Sequence, residues 1–223
     1  MEFVFDDQVK VFSSEIDDGS MSLFDGSFSR NSAEFLEKIA TNKAIAYCEQ
    51  SHGNQIKFIA DAGLTRGCDG ILSESDMALA VRTADCVPLM IIDGDRIGAI
   101  HCGRKSVTSG IIENLQSNLG SVSAAKVFLA PHIRTKNYEV KADVVDQLNA
   151  TKWRQFIVRD SQKSYFDMTA AVIFALDEIG IKRENIVDCA IDTFDDRRFF
   201  SARRDPQDMI KTFITVIYKD GSK

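Results

Sequence analysis

A layered α+β fold with mixed sheets is the architecture the sequence predicts, and three observations carry that expectation. Short β-rich segments interleave with a few amphipathic helices without strict strand-helix-strand alternation, which argues against a doubly wound parallel sheet. No low-complexity segment, internal repeat or Pro/Gly-rich linker divides the chain. Its 223 residues, 44% hydrophobic and 27% charged, suffice for one well-buried core, so residues 1–223 are expected to form a single domain.

In chain order, apolar recurrence every three or four positions predicts a helix over 31–40 (NSAEFLEKIA), with Asn31 or Ser32 as its cap. β-branched and apolar runs then predict strands at 43–49, 56–60 and 77–81. Two more strands, VPLMIID (87–93) and RIGAIH (96–101), flank the turn Asp93-Gly94-Asp95 and should form a hairpin. A helix over 107–119 is expected to stop at Gly120, followed by a strand at 126–130 and a helix at 143–149. The last helix, 167–180, has Asp167 as cap and Gly180 as stop, and strands at 186–191 and 212–218 complete the set.

Composition narrows the function. A formal charge of -6 supplies no basic field for a phosphate backbone, so nucleic-acid binding is disfavoured while a small anionic substrate stays open. The N-terminus MEFVFDDQVK lacks the basic start and apolar run of a signal peptide, and no stretch approaches membrane-spanning length. A cytoplasmic protein is expected. Five cysteines, scattered and without a CxxC spacing, fit reduced thiols better than a disulfide framework. The absence of GxGxxG and GxxxxGK[ST] argues against Rossmann and P-loop sites.

Only three histidines occur, His52, His101 and His132, each beside turn-like residues at the end of an apolar segment. Strand ends that open into loops are where side chains converge on ligands. His52, Cys86 and His101 together suit a tetrahedral zinc with its fourth position open to water. A Cys86 nucleophile activated by His101 is the metal-free alternative. Spacing alone favours the plain reading of a small buried thiol and satisfied histidines, since the gaps match no standard zinc signature. Asp85 could orient a histidine or cap a loop, and capping is the commoner role after a strand. Arg104 and Lys105 could neutralise a phosphate, although a basic pair at a helix start is usually solvated. Ser201, Arg203 and Arg204 in FFSARRD read as an exposed charged edge, with anion or subunit binding as the alternative. Cys102 adjoins His101 but should face the other side of its strand.

QSHG (50–53), DGILSESDMALAVRTADCVPLMIID (69–93), HCG (101–103), APHIRTKNYEV (130–140) and FFSARRD (199–205) resemble, in order, the hallmark blocks of the YfiH-type proteins. That family is also called the laccase-domain or multicopper polyphenol oxidase family, and it includes the human purine nucleoside enzyme with a laccase-like domain. The resemblance implies a compact α/β/β/α fold similar to that of the cytotoxic necrotizing factor deamidase. It also implies one metal, zinc before copper, held by His52, Cys86 and His101.

The activities it implies are phosphorolysis of adenosine, inosine or methylthioadenosine and deamination of adenosine. The partners are then a nucleoside and phosphate, the latter held by Arg104, Lys105 and Arg134, with Asp85 serving proton transfer. The other readings it opens are editing of a peptidoglycan precursor, copper-dependent phenol oxidation, and metal binding without catalysis. Three histidines are few for a multicopper site. The chain departs from the family pattern at HCGRKS, where HAGWRG is usual, and at APHIR, where GPxIG is usual. Asp192-Thr193 stands where the family has Cys-Thr, and the Gly-Arg that usually follows RRD is missing.

Overall fold

The computed structural model describes residues 1–24, 26–205 and 210–221. Two six-stranded mixed sheets stack face to face, and a three-stranded antiparallel sheet lies apart from them. The first sheet runs Glu2–Asp6, Val9–Ser13, Phe213–Lys219, Ala78–Thr83, Ile45–Cys48 and Gly63–Thr65, with the last two strands parallel to their neighbours. The second runs Ile186–Asp188, Lys126–Leu129, Val87–Asp93, Arg96–Cys102, Gly70–Ser73 and Ile56–Phe58.

The two-residue side-chain period of a strand explains the layering. Along Val87–Asp93, Leu89 and Ile91 pack toward the helices, while Met90 and Ile92 pack between the sheets. The strand is buried almost end to end because both of its faces are covered. Helices Arg104–Thr108, Ile111–Leu119 and Met168–Glu178 cover the outer face of the second sheet. Helix Phe28–Lys38 covers the outer face of the first, seating Phe28 and Phe35 on Ala80, Ile214 and Val216. The layer order is therefore helix, sheet, sheet, helix, as the family resemblance implies.

The hairpin forms as expected, with Asp93 opposite Arg96 and Val87 opposite Cys102. Asp167 caps its helix by accepting from the Ala170 N–H at 2.9 Å. Other expectations are corrected. The helix expected at 107–119 is two helices, because Gly110 sits at φ 94°, where a right-handed helix cannot continue. The first helix starts at Phe28, so Asn31 lies inside it, and its buried amide donates to Ser20 O at 2.7 Å instead of capping. The strand expected at 186–191 stops at Asp188.

Several strands were not anticipated: Glu2–Asp6, Val9–Ser13, Gly63–Thr65, Gly70–Ser73 and all three of the small sheet, Glu139–Val140, Ile157–Asp160 and Lys163–Phe166. Most are short, edge-lying or polar, and tertiary pairing overrides their weak local propensity. Among the described residues, no helix is long and apolar enough to cross a membrane.

Candidate metal centre

The side chains of His52, Cys86 and His101 meet where the ends of both sheets come together, with their ligand atoms all within 4.8 Å of one another. His101 is the penultimate residue of Arg96–Cys102, and it shares the strand face of Ile97 and Ala99, which points at the other sheet. Cys102 takes the opposite face, among the residues packed on the helices, and burial pushes its thiol up. Cys86 lies just before Val87–Asp93, whose first residue pairs with Cys102, so the hairpin register brings Cys86 beside His101. His52 comes from the loop after Ile45–Cys48, and its Nε2 stands 3.8 Å from Cys86 Sγ.

Close approach is built into the backbone. A Cβ at Gly103 would fall 2.8 Å from His52 Cδ2 and 3.3 Å from Cys86 Sγ, so only glycine leaves the histidine its place. Gln50, His52 and Asp85 hold positive φ of 64°, 60° and 96°, a conformation that costs non-glycine residues and clusters at working sites.

One residue organises the centre without belonging to it. Asp69 is fully buried, and its Oδ1 accepts from His101 Nδ1 at 2.8 Å. The same carboxylate accepts the backbone N–H groups of Ser51, His52 and Gly53 at 3.1, 2.9 and 2.7 Å. It therefore fixes the His101 tautomer that leaves Nε2 free, and it ties down the loop that carries His52. Asp69 stands first in the family-like block 69–93, but no local pattern assigns it a role. The cue that could have done so is a carboxylate at a strand entrance facing loop amides, a relation visible only through space.

The electrostatics follow from these neighbours. Burial alone would raise the Cys86 thiol, but His101 and His52 outweigh it and bring the thiol down to about 6. Burial would also discharge His101, yet the Cys86 sulfur and the Asp69 carboxylate hold it up at about 9. The Asp69 carboxyl is itself lowered: burial opposes ionisation, and His101 with the loop amides overcomes it. Two imidazoles and a thiolate are a donor set that zinc accepts, and the 3.8 Å separation of sulfur and nitrogen is close to what two ligands of one zinc require.

The remaining residues fall in different places. Asp85 is buried, and burial raises its carboxyl. Its Oδ1 accepts from the Thr193 hydroxyl at 2.7 Å and its Oδ2 from the Arg203 N–H at 2.8 Å, so it fastens the 193–203 segment beside Cys86. Arg104 and Lys105 line a polar cleft with Ser51, His52, Cys86 and Tyr138. Arg134 is engaged elsewhere, in a bidentate pair with Asp188 at 2.7 and 2.6 Å.

His132 stands apart from the other histidines. Its Nδ1–H donates to Ala130 O at 2.7 Å and its Nε2 meets the Thr169 hydroxyl at 2.8 Å, while burial and then Arg134 press its pKa down to about 4. The expected charged edge at FFSARRD holds for Arg203 but not for Arg204, whose side chain is 7% exposed and donates to the carbonyls of Thr193, Phe194 and Phe199.

A second, more apolar cleft opens on the other side of the centre, bounded by Leu23, Phe24, Arg82, Ala202 and Ile210. His52 and Cys86 belong to the walls of both clefts. The centre is therefore reached from a greasy side and a cationic side.

Known proteins resemble this chain in both sequence and fold. A family model described as multi-copper polyphenol oxidoreductase laccase matches residues 25–218. A purine nucleoside phosphorylase of Campylobacter jejuni is 31% identical over 222 residues, covering 96% of this chain and 89% of that protein. One of Rickettsia conorii is 29% identical, covering 82% and 87%. The crystal structure of YlmD from Geobacillus stearothermophilus superposes with a TM-score of 0.82 at 22% identity, covering 95% of this chain and 91% of that one. The Bacillus licheniformis protein YfiH superposes at 0.83 and 18% identity, covering 95% and 93%. With the matched model spanning most of its length and the fold shared with YfiH itself, the chain belongs to the YfiH-type, or laccase-domain, family.

Proposed function

We propose that this chain is a zinc-dependent purine nucleoside phosphorylase. The observation that carries the reading is the meeting of two unlike clefts at His52 and Cys86, one apolar and one lined by Arg104 and Lys105. The name shared by the Campylobacter and Rickettsia relatives supports the reaction class. His52, Cys86 and His101 would hold the metal, which when bound supplies positive charge that polarises an oxygen ligated to it. Zinc is preferred to copper because a single two-histidine, one-cysteine set is too few ligands for a multicopper centre.

The protein's own groups divide the remaining work. Leu23, Phe24 and Ile210 offer apolar surface against which a purine stacks away from water. Arg104 and Lys105 attract phosphate to the opposite side, and Arg203 lies over the Tyr138 ring at 5.1 Å, adding charge nearby. A phosphate oxygen then bonds to the anomeric carbon of the ribose while the bond to the purine nitrogen breaks, its electron pair leaving with the base. Asp69 keeps the histidines in place throughout. Asp85, with both oxygens engaged, serves in positioning Cys86 rather than as a proton carrier.

The test is product analysis of metal-loaded protein with inosine, with and without phosphate. Release of hypoxanthine together with ribose 1-phosphate, only when phosphate is present, is expected. Hypoxanthine with free ribose, or no turnover, would reject phosphorolysis.

A further inference from the structure

Arg104 and Lys105 open the short helix Arg104–Thr108, and both line the polar cleft whose walls include His52 and Cys86. Lys105 is exposed and Arg104 half-buried, so an ion from solvent reaches both. Other arginines of this part of the chain are paired, Arg134 with Asp188 and Arg204 with Asp205. Among the described residues no carboxylate pairs with Arg104 or Lys105, although the chain carries a net charge of -6. Two reachable cations left unpaired at one cleft attract an oxyanion.

Tyr138 lines the same cleft, half-buried, and is held from several directions. Its backbone N–H donates to Thr135 O at 3.1 Å, and its carbonyl accepts from the Phe166 N–H at 3.1 Å. The Arg203 guanidinium lies 5.1 Å from its ring centre and donates to Glu139 O, while the Arg203 N–H donates to Asp85 next to Cys86. With its backbone pinned and a cation on its ring, the phenol has a fixed place in the cleft wall. Burial and then the Cys86 sulfur raise its pKa, while Arg104, close to the hydroxyl, and Arg203 oppose them.

A guanidinium has donors only, so where Arg104 meets the hydroxyl the phenol oxygen accepts. The phenol proton is then left to donate elsewhere, and no acceptor among the described residues takes it. The other hydroxyl of the cleft, on Ser51, donates to Asp69 at 3.3 Å. We propose that Tyr138 is a phosphate-contacting residue, its hydroxyl accepting from Arg104 and donating to an oxygen of the attacking phosphate. The inference rests on the phosphorylase reading above and adds to it a neutral donor for the second substrate. Arg104 and Lys105 collect the anion by charge, whereas a hydrogen bond from a fixed phenol is directional and sets where the anion comes to rest beside the metal centre.

Calorimetric titration of inorganic phosphate into zinc-loaded wild type and Tyr138→Phe tests the contact. The variant keeps the ring beneath Arg203 and loses only the hydroxyl. Phosphate affinity is expected to fall at least about tenfold, the return of a hydrogen bond to a charged oxygen. With inosine as substrate, the KM for phosphate should rise by a similar factor while the KM for inosine and the zinc content stay unchanged. Introduced into Arg104→Gln, the same substitution should cost less, because phenol and guanidinium act as a unit. Equal phosphate affinity in wild type and Tyr138→Phe, or a parallel rise in both KM values, would overturn the role of Tyr138 and leave the phosphorylase reading standing. Phosphate bound by wild type and weakened in the variant, with no cleavage of inosine or adenosine, would overturn that reading and keep the anion contact. No phosphate binding by wild type would overturn both.

Discussion

Two strands of the second sheet lead into histidines, and the surroundings of those histidines differ in every respect that matters chemically. His101, near the end of Arg96–Cys102, has a carboxylate on one ring nitrogen and a thiol beside the other, and is held at about 9. His132, just beyond Lys126–Leu129, has a carbonyl on one nitrogen and a hydroxyl on the other, and is pressed to about 4. Both rings are buried, at 3% and 0% exposure. Burial therefore does not separate them. What separates them is the charge of their partners, which makes one a metal-ligand candidate and the other a neutral packing element.

The strongest way to break the comparison is to remove the shared thiolate. Cys86→Ala should lower bound zinc from about one per chain to background by elemental analysis, since two histidines alone hold zinc poorly. Retention of a full equivalent would remove Cys86 from the ligand set. Asp69→Asn attacks the same histidine from its other side. Loss of the orienting carboxylate should weaken zinc binding by about 10–100-fold in chelator competition. An unchanged affinity would reduce Asp69 to a loop fastener.

The His132 region supplies the complementary test, on stability. Its folded pKa lies below the unfolded value, so its stabilising contribution is present above about pH 6.5 and is lost as pH falls toward 4. Between pH 7 and pH 5, denaturant titration should show wild type losing about 2 kcal/mol more than His132→Gln, from the linkage of one proton. Parallel losses in both proteins would show that His132 is not titrating against burial. The smallest effect belongs to Thr169→Val, which removes the hydroxyl between His132 and Arg134. A cost of about 1 kcal/mol with zinc content unchanged is expected, and loss of zinc would join the two regions that the comparison keeps apart.

The two histidine sites also show how far local reading reaches. The hairpin was legible because its alternating apolar pattern and its turn are local, and its register then set Cys86 beside His101. The His52, Cys86 and His101 set became legible only through the family blocks, because spacing along the chain matches no metal signature. His132 was indistinguishable from His101 in sequence, each standing at a strand end before a loop. The split of the 107–119 helix is the reverse case, a local signal at Gly110 that the apolar repeat on either side concealed.

By itself the sequence determined the α+β class, through side-chain periods of two and 3.6 residues that mark strands and helices, while the four-layer order was implied only by the family blocks. It also determined which donor atoms exist, and so excluded a many-histidine centre. Tertiary structure alone decided that Asp69 would serve both His101 and the His52 loop, that Asp85 would spend its carboxylate on Thr193 and Arg203, and that Arg82 would be buried with its guanidinium on the Cys48 and Glu49 carbonyls. Periodicity acts between neighbours in the chain, whereas hydrogen bonding, burial and charge act across space between residues that only the folded sheets bring together.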